Sequence, residues 1–280
     1  MAQKNKKNVN EMSFLDHLED LRWHLIRATL SVMIAATFAF LAKSFIFDTI
    51  LFGPTRPSFF TYDILCKVSN YLGLDDSFCF NEAAFKIQSR TMAGQFSAHI
   101  WTAITAGFII SFPYILYELW RFISPGMHAS ERRNSRGFIF ISSFLFFLGV
   151  LFGYYVICPL SINFLGTYQV SEKVHNDFDL SSYISLIRSS VIACGIIFEL
   201  PIIIYFLAKG GIITPEFLRK YRKIAMVIVL IVSAVITPPD IASQVIVAIP
   251  VLILYEVSIY IAKFVTRKER KKSKAVKNVR

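Results

Sequence analysis

Between residues 25 and 262 the sequence runs through six long apolar blocks that are almost free of charge. A soluble core would spread its apolar residues at helical or strand periodicity, whereas a bilayer asks for unbroken stretches of about 20. In hydrocarbon the backbone must satisfy its own hydrogen bonds, and separate apolar segments of this length do so as helices. The blocks fall at residues 25–45, 96–122, 137–164, 183–209, 224–238 and 241–262. The expectation is an all-α integral membrane protein with six transmembrane helices. With 55% hydrophobic residues, the chain is too apolar to suit a water-soluble fold. Residues 1–22 are polar and the first block has the length of a span, so no cleavable signal is expected.

The net charge of +11 could suggest nucleic acid, but its placement reads as topology. The arm up to Arg27, the loops at 121–136 and 209–223, and the tail from Lys263 hold 23 of the 30 Lys and Arg residues. The segments between them on the other side hold 6, and Arg188 lies inside the fourth block. Cytoplasmic loops carry the excess of Lys and Arg. The chain is therefore expected to have both termini in the cytoplasm, with the lipid bilayer as its partner and no nucleic acid. Residues 1–24 form a cytoplasmic arm, 25–264 the membrane domain, and 265–280 a basic cytoplasmic tail. Segment 48–90 reads as a periplasmic cap. The tail reads as a disordered anchor beside anionic lipid. The fifth block rises only about 22 Å as a helix, against a hydrocarbon core of about 30 Å. Such a mismatch favours local thinning of the bilayer.

Cys158 and Cys194 lie in apolar blocks, where a thiol acts as a small hydrophobe. Cys66 and Cys79 share the external segment, and a disulfide between them is the expectation for an oxidising side. No second Cys or His pair has ligand spacing, so neither a metal nor a cofactor is expected. No nucleophile elbow, zinc motif or phosphate loop occurs, and the five histidines are scattered. The chain does not read as an enzyme.

Four places could carry function. The arm from Ser13 to Arg22 reads as a short amphipathic helix, with leucines at helical intervals and Asp16, Glu19 and Asp20 on another face. Carboxylates suit bidentate capture of guanidinium groups, although spacing alone fits better a solvated face pairing with its own Arg22 or neighbouring loops. In the loop after the second block, Glu131 is the one acid, next to Arg132 and Arg133. Glu199 lies mid-span in Glu199-Leu200-Pro201, where the proline removes a helical bond. A carboxylate at a kink suits a wet or protein-lined cavity, and a protonated glutamate bonded to a neighbouring helix is the plainer account. Glu118 and Glu256, nearer span ends, are weaker signals. Thr237-Pro238-Pro239-Asp240 is a tight external turn between the two short spans, followed by Ser243 and Gln244.

Taken in order, His17-Leu18-Glu19-Asp20-Leu21-Arg22, Phe122-Ile123-Ser124-Pro125-Gly126 with Glu131-Arg132-Arg133, Phe198-Glu199-Leu200-Pro201 and Thr237-Pro238-Pro239-Asp240 resemble a known family. The sequence is similar to TatC, the multispanning subunit of the twin-arginine protein translocase, over about Ser13 to Phe264. The resemblance implies a concave, glove-like bundle in the bacterial inner membrane. It implies binding of twin-arginine signal peptides on folded precursors, and export with TatA and TatB partners in a multimeric Tat complex driven by the proton-motive force. By position, Glu19, Asp20 and Glu131 would hold the arginine pair, with Arg22, Phe122, Pro125, Arg132 and Arg133 shaping the site. Glu199, with Glu118 and Pro201, would be the intramembrane polar set. Thr237, Pro238, Asp240 and Gln244 would lie near the docking surface for partner helices. The family often has glutamate where this chain has Asp20, which leaves open whether Glu19 or Asp20 makes the main contact. Two rivals stand beside this reading: a solute carrier or channel with Glu199 in a mid-membrane path, and a passive scaffold.

Overall fold

The structure, a computed structural model, describes residues 14–71, 85–123, 135–171, 173–174, 176–237 and 241–277. Apart from one pair of three-residue strands, the regular elements among these residues are helical. Helix α1 (Phe14–Leu41) is followed by a π-helical turn (Phe45–Leu51), a 3-10 turn (Gly53–Thr55), α2 (Phe60–Tyr71) and strand β1 (Lys86–Gln88). Then come α3 (Gly94–Ile123), α4 (Ser135–Phe152), a π-helical turn (Gly153–Ile157), α5 (Cys158–Thr167) and β2 (Asp177–Asp179). The chain continues through α6 (Leu180–Phe198), α7 (Leu200–Lys209), α8 (Pro215–Lys220), α9 (Arg222–Ile236) and α10 (Ile241–Lys277).

Among the described residues, five stretches are long and apolar enough to cross a bilayer: Leu18–Leu41, Gly94–Ile123, Gly137–Thr167, Leu180–Lys209 and Ser243–Arg267. The protein is an all-α, multi-span membrane protein. Helix α9 has 15 residues, rises about 22 Å and is not among the five. Two further features differ from the sequence reading. The arm and first span form one continuous helix, because no Gly or Pro interrupts residues 14–41. The basic tail, expected to be disordered, continues α10 as helix through Lys277, since nothing after Pro250 breaks it.

The chain divides into two compact units, one from Met1–Lys43 and His99–Phe144, the other from Ser44–Ala98 and Leu145–Arg280. The first is built on a seam between α1 and α3. Ala103, Gly107 and Ser111 recur every fourth residue and so share one face of α3. A Cβ on Gly107 would lie 2.6 Å from the backbone nitrogen of Ala36 and 2.7 Å from the carbonyl oxygen of Val32. The two backbones therefore touch, with Ala36 and Ala39 buried. Ser111 Oγ donates to the carbonyl of Ser31 at 3.0 Å. Lipid offers no hydrophobic drive between helices, so close packing of small residues and such hydrogen bonds hold the seam. Trp120 packs on Phe138 at 4.7 Å and ties α3 to α4.

The second unit uses the same device. A Cβ on Gly149 would stand 2.5 Å from the carbonyl oxygen of Cys194, and one on Gly153 would stand 2.9 Å from Cα of Val191. Carbonyls of the first π-helical turn and of the 3-10 turn are satisfied by tyrosine hydroxyls, two of them from buried side chains. Tyr154, Tyr183 and Tyr62 donate to the carbonyls of Ile50, Leu51 and Pro54 at 2.7, 2.6 and 2.9 Å. Burial pushes the Tyr62 phenol well above its usual range, so it remains a donor. Strands β1 and β2 pair in parallel, with Ile87 opposite Phe178. Cys66 is disulfide-bonded, and Cys158 and Cys194 are free. Cys79, its expected partner, lies outside the described residues.

The seam makes a direct prediction. Gly107→Leu forces α1 off α3 and costs about 2–3 kcal/mol by overpacking, read as a lower thermal midpoint of the protein in detergent. Gly137→Ala, where a Cβ meets nothing within 4 Å, leaves the midpoint unchanged. Equal midpoints for the two variants would contradict the seam.

Candidate functional site

Glu19 and Asp20 stand exposed in the second turn of α1, with Arg22 exposed beside them. Acids near a helix N-terminus sit favourably on its dipole. Leu18, Leu21 and Leu25 also face outward.

One turn further along α1 the surface closes over a carboxylate. Glu118, near the end of α3, keeps only 3% of its side chain exposed. His24 Nδ1 lies 2.5 Å from Glu118 Oε2. Arg27 Nη1 lies 3.8 Å from the same oxygen, with its own side chain 44% exposed. Tyr114, one turn back on α3, places its phenol where it interacts with the Glu118 carboxylate. The His24 ring meets Phe122 edge-on, with centroids 6.1 Å apart. An imidazole and a guanidinium of α1, a phenol and an aromatic ring thus surround one buried acid of α3. Such an arrangement can hold a charge in place and lock two helices in register. Phe122 is half-buried. Pro125, Glu131, Arg132 and Arg133 lie outside the described residues.

The other polar set belongs to the second unit. Glu199 breaks the fourth span between α6 and α7. Its N–H donates back to Ile196, three residues away, and Pro201 follows in the first turn of α7. Pro201 has no N–H for the continuing ladder, which is why the helix breaks here. Glu199 is buried, and its neighbours Ile197 and Leu200 pack on Val229, Ala248 and Val251 of α9 and α10. Thr237 is buried, its hydroxyl donating to the carbonyl of Ser233 at 2.8 Å. Gln244 Nε2 donates to the carbonyl of Leu230 at 3.1 Å, joining α10 to α9. Pro238 and Asp240 lie outside the described residues. Glu256, the weaker of the remaining acids, pairs with Arg222 at 2.6 Å in a half-exposed contact.

The model of the family described as "Sec-independent protein translocase protein (TatC)" matches residues 16–250. The chain belongs to the TatC family. It is 47% identical over 265 residues to the Sec-independent protein translocase protein TatC of Blattabacterium sp. subsp. Periplaneta americana, covering 94% of this chain and all of that one. The TatC of Aquifex aeolicus is 35% identical over 281 residues, again with 94% and 100% covered. Two crystal structures of the twin-arginine translocase receptor TatC superpose with TM-scores of 0.65 and 0.68 at 32% and 33% identity. They cover 89% and 88% of this chain and 99% of theirs.

For a TatC-family chain, the cluster around Glu118 is the part that sequence reading passed over. The sequence marks Glu118 only as a weak signal near a span end and a member of the intramembrane polar set, reads Arg27 as a cation snorkelling at the end of the first span, and gives His24 no role. A usable signal existed: Tyr114 and Glu118 stand four apart on α3, while His24 and Arg27 stand three apart on α1. Pairing those two faces takes the tertiary structure. Glu118→Ala removes the buried partner of the half-buried His24 and of Arg27 and should lower stability by about 3 kcal/mol, read as loss of the folded protein in detergent melts. Glu256→Ala, which removes a half-exposed pair, should cost under about 1 kcal/mol. Equal costs would contradict the assignment of Glu118 as a buried, matched charge.

Proposed function

We propose that this chain is the signal-recognising core of a twin-arginine translocase in a bacterial inner membrane, with both termini cytoplasmic. Glu19 and Asp20 of α1, with Glu131, hold the consecutive arginines of a folded precursor's signal peptide. Arg22, Phe122, Pro125, Arg132 and Arg133 shape that site. TatA and TatB partners assemble with it in a multimeric complex and use the proton-motive force. Their helices dock near Thr237, Pro238, Asp240 and Gln244. Cys79 is the partner of Cys66 in the external segment.

One observation carries the reading: two exposed carboxylates project from the start of a helix in a TatC-family chain whose basic residues otherwise dominate that side. An arginine pair against two or three partly desolvated carboxylates gains about 2–5 kcal/mol, which suits a receptor that must also release. The 15 residues of α9 support a locally thinned bilayer beside the cargo path. The carrier reading draws less support, because the residues flanking Glu199 pack into an apolar cluster.

Inverted membrane vesicles and a precursor bearing an Arg-Arg signal test this. Asp20→Lys and Glu131→Lys should each weaken precursor binding by about tenfold or more, equivalent to about 1.4 kcal/mol, while Glu199→Gln retains it. Binding lost only through Glu199, with a solute flux altered, would restore the carrier. Indifference to every acid would leave a scaffold.

A further inference from the structure

We infer that the Glu118–His24 pair is a clamp that positions Asp20 for the signal peptide by fixing the rotation and height of α1 on α3. The inference rests on the receptor reading above and deepens it. Asp20, His24, Arg27 and Ser31 are spaced i, i+4, i+7 and i+11, which places them on one stripe of α1. Three of the four touch α3: Ser31 accepts from Ser111, while His24 and Arg27 meet Glu118. Asp20 is the next residue of that stripe, one turn or about 6 Å beyond His24. Glu19 stands about 100° round the helix from it.

Nothing between the clamp and Asp20 can absorb a rotation. The helix is continuous from Phe14 to Leu41 and holds neither Gly nor Pro. A turn of α1 at His24 therefore moves Asp20 by the same angle. Further along the seam, Gly107 admits the α1 backbone at Val32 and Ala36, where any Cβ would collide, and Ser111 binds the carbonyl of Ser31. These contacts set the height of α1 there, and the contact of His24 and Arg27 with Glu118 extends that hold toward the arm. Burial of the Glu118 carboxylate sharpens the choice, because any other register takes it away from His24 and Arg27, and registry is the best-attested use of buried polar pairs. Glu118 itself is too enclosed to reach a peptide. It is a positioning residue, and Asp20 is the contact.

The measurement is binding of a fluorescent synthetic Arg-Arg signal peptide, and its Lys-Lys variant, to the full chain in nanodiscs. Glu118→Gln and His24→Gln should each weaken Arg-Arg binding by about tenfold, and the double variant by no more than either alone. In an Asp20→Asn background, Glu118→Gln should add less than about threefold. In a Glu19→Gln background it should keep its full effect. A merely structural loosening would act equally in both backgrounds and would overturn the clamp. Normal binding by Glu118→Gln and His24→Gln, with Asp20→Lys abolishing it, would also overturn the clamp and leave the receptor standing. Binding unaffected by Asp20→Lys and blind to Arg against Lys would remove the receptor reading and the clamp with it. If Glu118→Gln does not accumulate, His24→Gln carries the same comparison.

Discussion

A carboxylate set among apolar helices has to be matched where it sits, because neither water nor lipid will solvate it. Glu118 meets that demand with His24, Arg27 and Tyr114. The consequences reach beyond the site. The small residues of the α1–α3 seam let the two backbones touch at one register, and the contact of His24 with Glu118 holds that register nearer the arm. Because α1 is a single helix, the register chosen within the membrane domain is carried out to the acids of the arm. A packing decision among the spans thus becomes a geometric property of the exposed acids of the arm.

Much of the fold was legible in the sequence because the bilayer writes a coarse signal. Apolar blocks and the bias of Lys and Arg report spans without reference to tertiary contacts. The break at Glu199 was legible too, since Pro201 acts locally through its missing N–H. Elements whose limits depend on packing were not legible. The merging of arm and first span rests on the absence of a breaker, and leucine spacing alone made the arm look separate. The helical tail was misread because a run of like charges suggests repulsion, whereas an existing helix extends at little cost. The Glu118 cluster stayed hidden because its members lie 94 residues apart in sequence. The glycine seams stayed hidden as well, since twelve glycines show no cradle until the structure sets Gly107 on Ala36 and Gly149 on Cys194.

The two compact units share close backbone contact at glycines and differ in what supplements it. In the first, it is the contact of His24 and Arg27 with a buried carboxylate. In the second, tyrosine hydroxyls cap the free carbonyls of irregular backbone, and apolar clusters from α6, α7, α9 and α10 surround the break at Glu199. The short α9, tied to α10 through Gln244, gives that unit its departure from a full-length span. Exposed acids on a positioned helix, a broken span and a short helix together suit a receptor that gathers partners around a cargo path.

Site-specific photocrosslinking in native membranes tests the central claim most directly. A photoreactive residue would replace Asp20, and separately Glu131, and a precursor with an Arg-Arg signal would be compared with its Lys-Lys variant. Strong crosslinks from both positions with Arg-Arg, and few with Lys-Lys, are the predicted result. Equal crosslinks with the two signals, or none with either, would contradict it.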